Sequence, residues 1–240
     1  EYSADNGAGS QNTFKYTYEG AKYDHDRRMT LGFEKIKKEE IYPNNPNHYY
    51  SQTFFHQTFP LAGLVTLAER GIDPAFSNVL ERTKNTWLVH YFPWNASVYG
   101  FDTGKSVRPY LATQDVTDFH VNGDPINRVT QTQMSVDPYG NPLQTKIEYR
   151  NQYNLIEYVV DDIKTYLNDV THWHFGLPKT QKVTHAPFLS NTKAVTQETE
   201  YEYDTKGRLH KKILEPNSAT EKLIQTIDYN LFGNPIKETT

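Results

Sequence analysis

The chain has 240 residues, enough for one large domain or two small ones. Its formal net charge of −4 argues against a nucleic-acid surface and against a binder of anionic membranes. Because the chain contains no cysteine, a disulfide framework, a thiolate metal site and a cysteine nucleophile are all excluded.

Aromatic residues are the distinctive part of the composition. Hydrophobic residues make up only 36% of the chain, yet aromatics reach 14% and include 18 tyrosines. Tyrosine favours strands and combines apolar area with a hydroxyl group that water can reach. We therefore expect an all-β chain that is too polar to close a thick core alone. No apolar run approaches the length of a membrane span, no signal peptide is visible, and the first residue is Glu, so we expect a segment of a longer protein.

The first elements in chain order are predicted strands. Phe14, Tyr16 and Tyr18 alternate with polar residues, which predicts a strand over 12–19. Residues 31–41 and 49–59 resemble two arms of a long hairpin, and the Pro- and Asn-rich connector at 43–47 has turn chemistry throughout.

Residues 61–83 are ambiguous between helix and strand. Leu61, Leu64, Val65 and Ala68 have helical spacing, and Asp73 followed by Pro74 has the form of a helix N-cap. Short helical stripes of this kind are also common false positives. The pattern alone leaves one or two short helices and a pair of strands as alternatives.

The remaining elements are also predicted to be strands. Residues 154–168 are compatible with a helix, but their β-prone residues favour two strands with a turn at Asp161-Asp162. From residue 179 onward the alternation of apolar and polar residues is regular. The other predicted strands are 86–92, 107–116, 127–136 and 143–151.

A tyrosine, aspartate and glycine pattern recurs in the second half of the chain. An Asp or Asn side chain can accept a backbone N–H two residues further on, and glycine tolerates a positive φ. Together they suit a three-residue hairpin loop, formed by a type I turn followed by a left-handed glycine. The copies are Tyr203-Asp204 with Gly207, Tyr229-Asn230 with Gly233, Asp137 with Gly140, and His120 with Gly123.

The flanking residues of the clearest copy predict its strand register. With residues 205–207 in the loop, Asp204 faces Arg208. A shift of one residue would exchange the two faces of each strand, which disfavours a two-residue loop. The predicted pairs are Tyr203 with Leu209, Tyr201 with Lys211, Thr199 with Ile213, Glu202 with His210, and Glu200 with Lys212.

These corners and four further segments resemble the YD-repeat (Rhs) family, and within it the B component of bacterial Tc insecticidal toxin complexes. The segments occur in the family's order and span nearly the whole chain. The resemblance favours strands over helices at 61–83. The matching segments are Tyr16 to Gly20, Leu31 to Phe33, Gln57 to Gly63, and Asn168-Asp169 with Trp173 to Pro178.

The resemblance implies a meandering antiparallel strip of YD-repeat hairpins that forms part of a larger hollow β-shell. Such a shell encloses a toxic C-terminal polypeptide and belongs to a secreted complex with a pore-forming component. The implied partners are other YD-repeat segments of the full-length protein, the C-terminal toxin component and the pore component. We expect an N-terminal β segment over 1–116, a repeat segment over 117–240, and self-association through open sheet edges.

No catalytic, cofactor or metal residue is predicted. His172, His174 and His185 are conceivable metal ligands, but pairing residues around Trp173 are the simpler interpretation. Asp161 and Asp162 would point to opposite faces of a strand, which does not suit paired acid–base chemistry. Three further groups give no strong signal: the carboxylates of Glu198, Glu200 and Glu202, the serines Ser97 and Ser106, and the formal glycosylation acceptor Asn95.

The exposed aromatic stripes leave one alternative function open. Tyr201 and Tyr203 on one strand face could stack on sugars, as in a carbohydrate-binding or adhesion module. Aromatic stripes serve packing more often than ligands, which favours the structural interpretation.

Overall fold

The computed structural model describes residues 2–5, 11–43, 48–91, 107–188 and 193–240. Seventeen β-strands are present in these ranges. They are β1 (Tyr2–Asp5), β2 (Gln11–Glu19), β3 (Lys22–Asp24), β4 (Met29–Gly32), β5 (Lys35–Ile41), β6 (Tyr49–Phe55), β7 (Val65–Gly71), β8 (Val79–Tyr91), β9 (Val107–Phe119), β10 (Pro125–Val136), β11 (Pro142–Asn151), β12 (Ile156–Asp169), β13 (His174–Pro187), β14 (Val195–Tyr203), β15 (Leu209–Leu214), β16 (Leu223–Tyr229) and β17 (Pro235–Thr239).

Fifteen of these strands follow one another in a single open sheet, in sequence order except that β5 follows β2. Strands β3 and β4 form a separate two-stranded hairpin. Antiparallel neighbours can be joined by tight hairpin connections, which suits a chain rich in turn signals. The all-β, antiparallel prediction is therefore confirmed. Within the described ranges, no helix has the length and hydropathy needed to cross a membrane.

The chain divides into two compact units. The first contains residues 1–131 and 149–155, and the second contains residues 132–148 and 156–240. In the first unit, the buried side chains of Gln52 and Glu69 lie on neighbouring strands. Gln52 Nε2 donates to Glu69 Oε2 over 2.6 Å, and Arg82 Nε donates to Glu69 Oε1 over 2.6 Å.

Neither unit has a thick hydrophobic core. Among the described residues, four hydrophobic side chains are buried, and no side chain is completely enclosed. Most strand positions are half-exposed, including nearly all of β11, β12 and β13. The stability of such a sheet rests on its backbone ladders and on cross-strand side-chain pairs. The buried hydrophobic residues are Leu31, Val79, Ala112 and Ile213.

The two segments with helix–strand ambiguity are strands. Residues 61–83 contain β7 and the start of β8. Asp73 caps backbone N–H groups as its N-cap pattern suggests, but it caps a turn between strands: it accepts from Ala75, Ser77 and Asn78. The predicted turn at Asp161-Asp162 is wrong, because β12 runs uninterrupted from Ile156 to Asp169.

The predicted register at Asp204 is correct for the first pair and wrong for the others. Tyr203 pairs with Leu209, but Glu202 pairs with Lys211 and Tyr201 with Lys212. The reason is a β-bulge at His210, which adds one residue to β15 and shifts every later pair. The remaining observed pairs are Glu200 with Ile213 and Thr199 with Leu214.

Some predicted features lie outside the described residues. They are the central part of the connector at 44–47, the acceptor Asn95, and the serines Ser97 and Ser106.

Candidate functional site

The site with the strongest sequence signal is a set of hairpin corners. Five corners share one backbone pattern, in which the first residue accepts from the N–H of the fourth and donates to the carbonyl of the fifth. This is the three-residue loop expected from the sequence. The corners run from His120 to Asp124, Asp137 to Asn141, Asn151 to Leu155, Asp204 to Arg208 and Asn230 to Asn234.

The Asp204 corner shows why a carboxylate suits the first position. Asp204 Oδ1 accepts the backbone N–H groups of Lys206 and Arg208 at 2.9 and 3.0 Å. Asp204 Oδ2 accepts Nε and Nη2 of Arg208 at 2.7 and 2.6 Å. The Arg208 side chain, followed by the backbone N–H groups, lowers the pKa of Asp204 from 3.8 to about 2. The fourth residue, Gly207, has a φ of +76°.

One of the five corners was not predicted. Asn151 caps the N–H groups of Tyr153 and Leu155 at 3.0 and 3.1 Å, as Asp204 does in its own corner. The left-handed fourth position is occupied by Asn154, with a φ of +61°, instead of glycine. Asparagine is one of the few other residues that adopts this conformation readily, so an Asn-x-x-Asn spacing was the available signal.

Four connections of the second unit lie at the same end of its antiparallel strands, and we call them the corner row. Its members are the corners at 137–141, 204–208 and 230–234, together with the β12–β13 turn at 170–173. Because consecutive strands alternate in direction, connections two strands apart lie at the same end of a sheet. In the corner row, each member is joined to the next through residues that lie in the corners or close beside them.

The first contact joins the Asp137 corner to β12 and β13. Asp137 is 7% exposed, and its Oδ2 accepts Nδ2 of Asn141 at 2.9 Å and Nδ2 of Asn168 at 2.8 Å. Asn168 Oδ1 in turn accepts the backbone N–H of Gly176 at 2.8 Å. Burial by itself raises the pKa of Asp137, but the bonds from Asn141 and Asn168 outweigh it and the net shift is downward. Asn168 thus joins the Asp137 carboxylate of one corner to the backbone of β13 at Gly176.

The second and third contacts continue the corner row. A Cβ on Gly207 would lie 3.0 Å from the ring of His174, so the backbone of one corner packs against a side chain that follows the previous turn. The guanidinium of Arg208 lies 4.5 Å from the ring centroid of Tyr229, next to the last corner. A cation that lies over the face of an aromatic ring is attracted to the ring.

Tyrosine has a specific role beside the Asp204 and Asn230 corners. The Tyr203 hydroxyl donates to the carbonyl of Pro178 over 2.8 Å, and the Tyr229 hydroxyl donates to the carbonyl of Leu209 over 2.8 Å. Both acceptors immediately precede a bulged residue, Lys179 in one case and His210 in the other. The two bonds have the same geometry, and each one links a corner to the hairpin before it.

The first unit contains the same arrangement with tryptophan as the donor. Trp87 Nε1 donates to the carbonyl of Val65 over 2.7 Å, and Asn85 Nδ2 donates to the same carbonyl over 3.1 Å. Val65 immediately precedes the bulged residue Thr66. No tyrosine pattern marks this position in the sequence. The signal was an aromatic N–H donor at the end of a predicted strand, which sequence reasoning did not single out.

The three candidate metal ligands do not converge on one point, although the rings of His172 and His174 stack with their centroids 6.0 Å apart. His172 Nδ1 bonds Asp169 Oδ2 over 2.7 Å, and the ring of His174 packs at Gly207. His185 lies at the far end of β13, where it bonds the Tyr158 hydroxyl over 2.6 Å. Within the described ranges, no three His, Asp or Glu side chains form a group that could hold a metal.

The other candidate carboxylates belong to cross-strand pairs. Asp161 accepts Nε2 of Gln144 at 2.9 Å, and Asp162 accepts Nε2 of Gln181 at 3.0 Å. Glu198 and Glu202 form ion pairs with lysines of neighbouring strands, at 2.9 and 2.8 Å respectively. These contacts are those of a polar sheet face.

Comparison of the fold with solved structures gives clear matches, although no family model and no curated protein matches the sequence. The crystal structure of TcdB2-TccC3 without its hypervariable C-terminal region has a TM-score of 0.70 at 8% identity. The crystal structure of TcdB2-TccC3-Cdc42 gives 0.72 at 8% identity. A Tc holotoxin pore of Photorhabdus luminescens, with a mutated TccC3, gives 0.71 at 9% identity.

This chain has the fold of a Tc toxin shell segment. Each match covers 95% of this chain and 18% of the other chain. The chain therefore spans about a fifth of the length of the structures it resembles. At this level of identity, the likeness concerns the fold alone.

Proposed function

We propose that this chain is a structural, non-catalytic segment of a toxin-complex protein, and that it forms part of a β-shell around a toxic polypeptide. The observation that carries the proposal is the likeness to Tc toxin structures over 95% of the chain. The resemblance of five sequence segments to YD-repeat proteins points the same way. In this proposal, residues 1–116 lead into the repeats and residues 117–240 supply the repeat hairpins.

The construction of the sheet supports a role as a wall. With four buried hydrophobic side chains among the described residues, the sheet does not depend on a thick core. The backbone ladders and the corner row hold neighbouring hairpins together instead. A wall one sheet thick leaves both of its faces available, one to an enclosed chain and one to solvent.

The proposed partners follow from the same role. They are further YD-repeat segments of the full-length protein, a C-terminal toxin component and a pore-forming component, in a complex secreted by a bacterium. The similar structures include a holotoxin pore and a TcdB2-TccC3 complex without its hypervariable C-terminal region, which makes these partners the first to test.

Protease protection of the enclosed polypeptide tests the proposal in the full-length protein. We expect the toxin component to resist an added protease when it is produced together with the shell. The substitution Asp137→Asn should open the wall and expose the toxin, because an amide Nδ2 would face the donor groups of Asn141 and Asn168. Val121→Ala is the matched control, since Val121 is 62% exposed at a corner tip. Equal cleavage with and without the shell would refute encapsulation.

A carbohydrate-binding or adhesion role is the alternative function. The hydroxyls of Tyr201 and Tyr203 are already engaged, with Gln181 Oε1 at 3.1 Å and with the Pro178 carbonyl at 2.8 Å. This internal pairing supports the structural role. A glycan array with Tyr201→Ala and Tyr203→Ala variants separates the two functions, because tyrosine-dependent binding of a sugar would favour adhesion.

A further inference from the structure

The bulge-associated aromatic bonds follow a strict positional rule. The donors Trp87, Tyr203 and Tyr229 each lie three residues beyond the last ladder pair of their strand, after Lys84, Glu200 and Thr226 respectively. The acceptor carbonyls of Val65, Pro178 and Leu209 each lie two residues before the partner in that same pair. At the point where the ladder between neighbouring hairpins ends, the carbonyl therefore accepts from an aromatic side chain instead of from a backbone N–H of the neighbouring strand.

The bulge explains why the carbonyl needs this donor. Each bulge opposes one aromatic residue to two residues of the next strand, which bends the bulged strand and disrupts its ladder. A carbonyl that loses its ladder partner in a half-buried position is costly unless another donor reaches it. The aromatic residues opposite the bulges are Phe55 at Val65, Trp87 at Leu111, Tyr166 at Pro178, Tyr203 at Leu209 and Tyr229 at Pro235.

The last of these bulges along the chain lies on the outermost strand, β17. Pro235 pairs with Tyr229, and the register then shifts at the bulged residue Ile236. Val65, Pro178 and Leu209 are half-buried, whereas Pro235 and the rest of β17 are exposed. Beside β17, the corner residues Leu231 and Phe232 are 92% and 89% exposed, and Ile236 is 65% exposed. A bulge preceded by a carbonyl acceptor is therefore also present at the sheet edge, at Pro235, and the apolar tip of the last corner lies beside it.

We propose that the outer edge of β17 docks a further β-hairpin whose strand carries a tyrosine or tryptophan directly before an Asp/Asn-x-x-Gly corner, with that side chain donating to the Pro235 carbonyl. The rule fixes the register. The incoming strand pairs with Lys237, and its aromatic donor lies three residues beyond that pair. This inference rests on the proposed function and specifies the chemistry of the partner segment.

The chain supplies its own probe for this edge. Each position of the Tyr203 corner has an equivalent 26 residues later in the chain. Tyr203 corresponds to Tyr229, and Leu209 corresponds to Pro235. By the same step, Leu214 corresponds to Thr240. A second copy of residues 215–240 joined directly after Thr240 therefore places its tyrosine at the predicted position, without a linker.

Hydrogen exchange at the backbone amides of β17 tests the docking in this extended chain. We expect protection of residues 236–239 to rise at least about tenfold over the original chain, because an edge strand gains a ladder partner. Tyr229→Phe in the added copy should reduce that protection about fivefold near Pro235, since one hydrogen bond is lost. Ile224→Pro in the added copy is the control that blocks strand pairing.

Two results would overturn the inference. Unchanged exchange of β17 in the extended chain would mean that its edge does not accept this hairpin. Equal protection with tyrosine and phenylalanine would mean that the hydroxyl bond does not set the register. Neither result depends on encapsulation, so a full-length protein that encloses nothing would refute the proposed function while leaving docking intact.

Discussion

At the scale of single residues, each tyrosine that precedes a corner has two tasks. Its ring packs between hairpins, and its hydroxyl supplies a donor to a carbonyl of the preceding hairpin, as Tyr203 does for Pro178. Burial raises the pKa of Tyr203, so the hydroxyl keeps its proton and remains a donor through the neutral range. This explains why tyrosine, and not phenylalanine, occupies the position in both clear copies of the repeat.

Removal of this hydroxyl gives the first prediction. Tyr203→Phe and Tyr229→Phe should each lower the free energy of unfolding by about 1 kcal/mol, because a half-buried carbonyl loses its donor. Urea unfolding followed by circular dichroism measures the change. Tyr153→Phe is the matched control, since Tyr153 is 73% exposed at a corner tip. Equal losses in all three variants would contradict the assigned role.

The carboxylate of Asp204 gives a prediction about pH. Its pKa falls from 3.8 to about 2 on folding, so its contribution to stability is complete above about pH 4 and is lost as pH falls through 2. Asp204→Asn should weaken the dependence of stability on pH in this window, while the amide oxygen still caps the corner as Asn230 does. Conversely, Asn230→Asp should strengthen it. Unfolding midpoints between pH 2 and pH 5 measure both, and unchanged slopes would contradict the prediction.

At the scale of elements, the corners lock neighbouring hairpins by close backbone contact. Gly207→Ala should cost about 1–2 kcal/mol for its left-handed backbone, and more because its Cβ would lie 3.0 Å from the His174 ring. Gly123→Ala should show only the backbone cost, since nothing lies within 4 Å of its Cβ position.

A double-mutant cycle isolates the contact with His174. In chemical unfolding, His174→Ala should cost less in the Gly207→Ala background than in the original chain, because the clash is relieved. Strict additivity of the two changes would show that the corner and the His174 ring do not press on each other.

The sequence predicted the elements whose causes are local. An Asp or Asn cap with a glycine three residues later defines a corner by itself, which is why the Asp204 and Asn230 corners could be recognised. The bulge at His210 depends on contacts with two neighbouring strands, so no local pattern announced it and the predicted register failed one residue beyond Tyr203. The pattern at Asp73 left helix and strand open for the same reason, because an aspartate can cap the start of a helix or a turn between strands.

At the scale of the whole molecule, an open sheet presents two outer strands, β1 and β17. Unpaired edge strands expose backbone donors and acceptors to other chains. We expect the isolated chain to self-associate with rising concentration, and Ile236→Lys to reduce this association by placing a charge on β17. Light scattering measures the mass, with Val121→Lys as the control at a corner tip. A monomer at all concentrations would contradict this expectation.

The two ends of the second unit's hairpins differ in their freedom to change length. At one end the corner row binds each connection to the next, whereas the β15–β16 connection has exposed side chains from Ala219 to Lys222. A short peptide tag inserted between Ala219 and Thr220 should leave the unfolding midpoint within a degree or so of the original. The same tag between Lys206 and Gly207 should abolish cooperative unfolding of that region. Inserted epitopes and other changes of length thus have a permissive site at the β15–β16 connection, at the opposite end of the strands from the Asp204 corner.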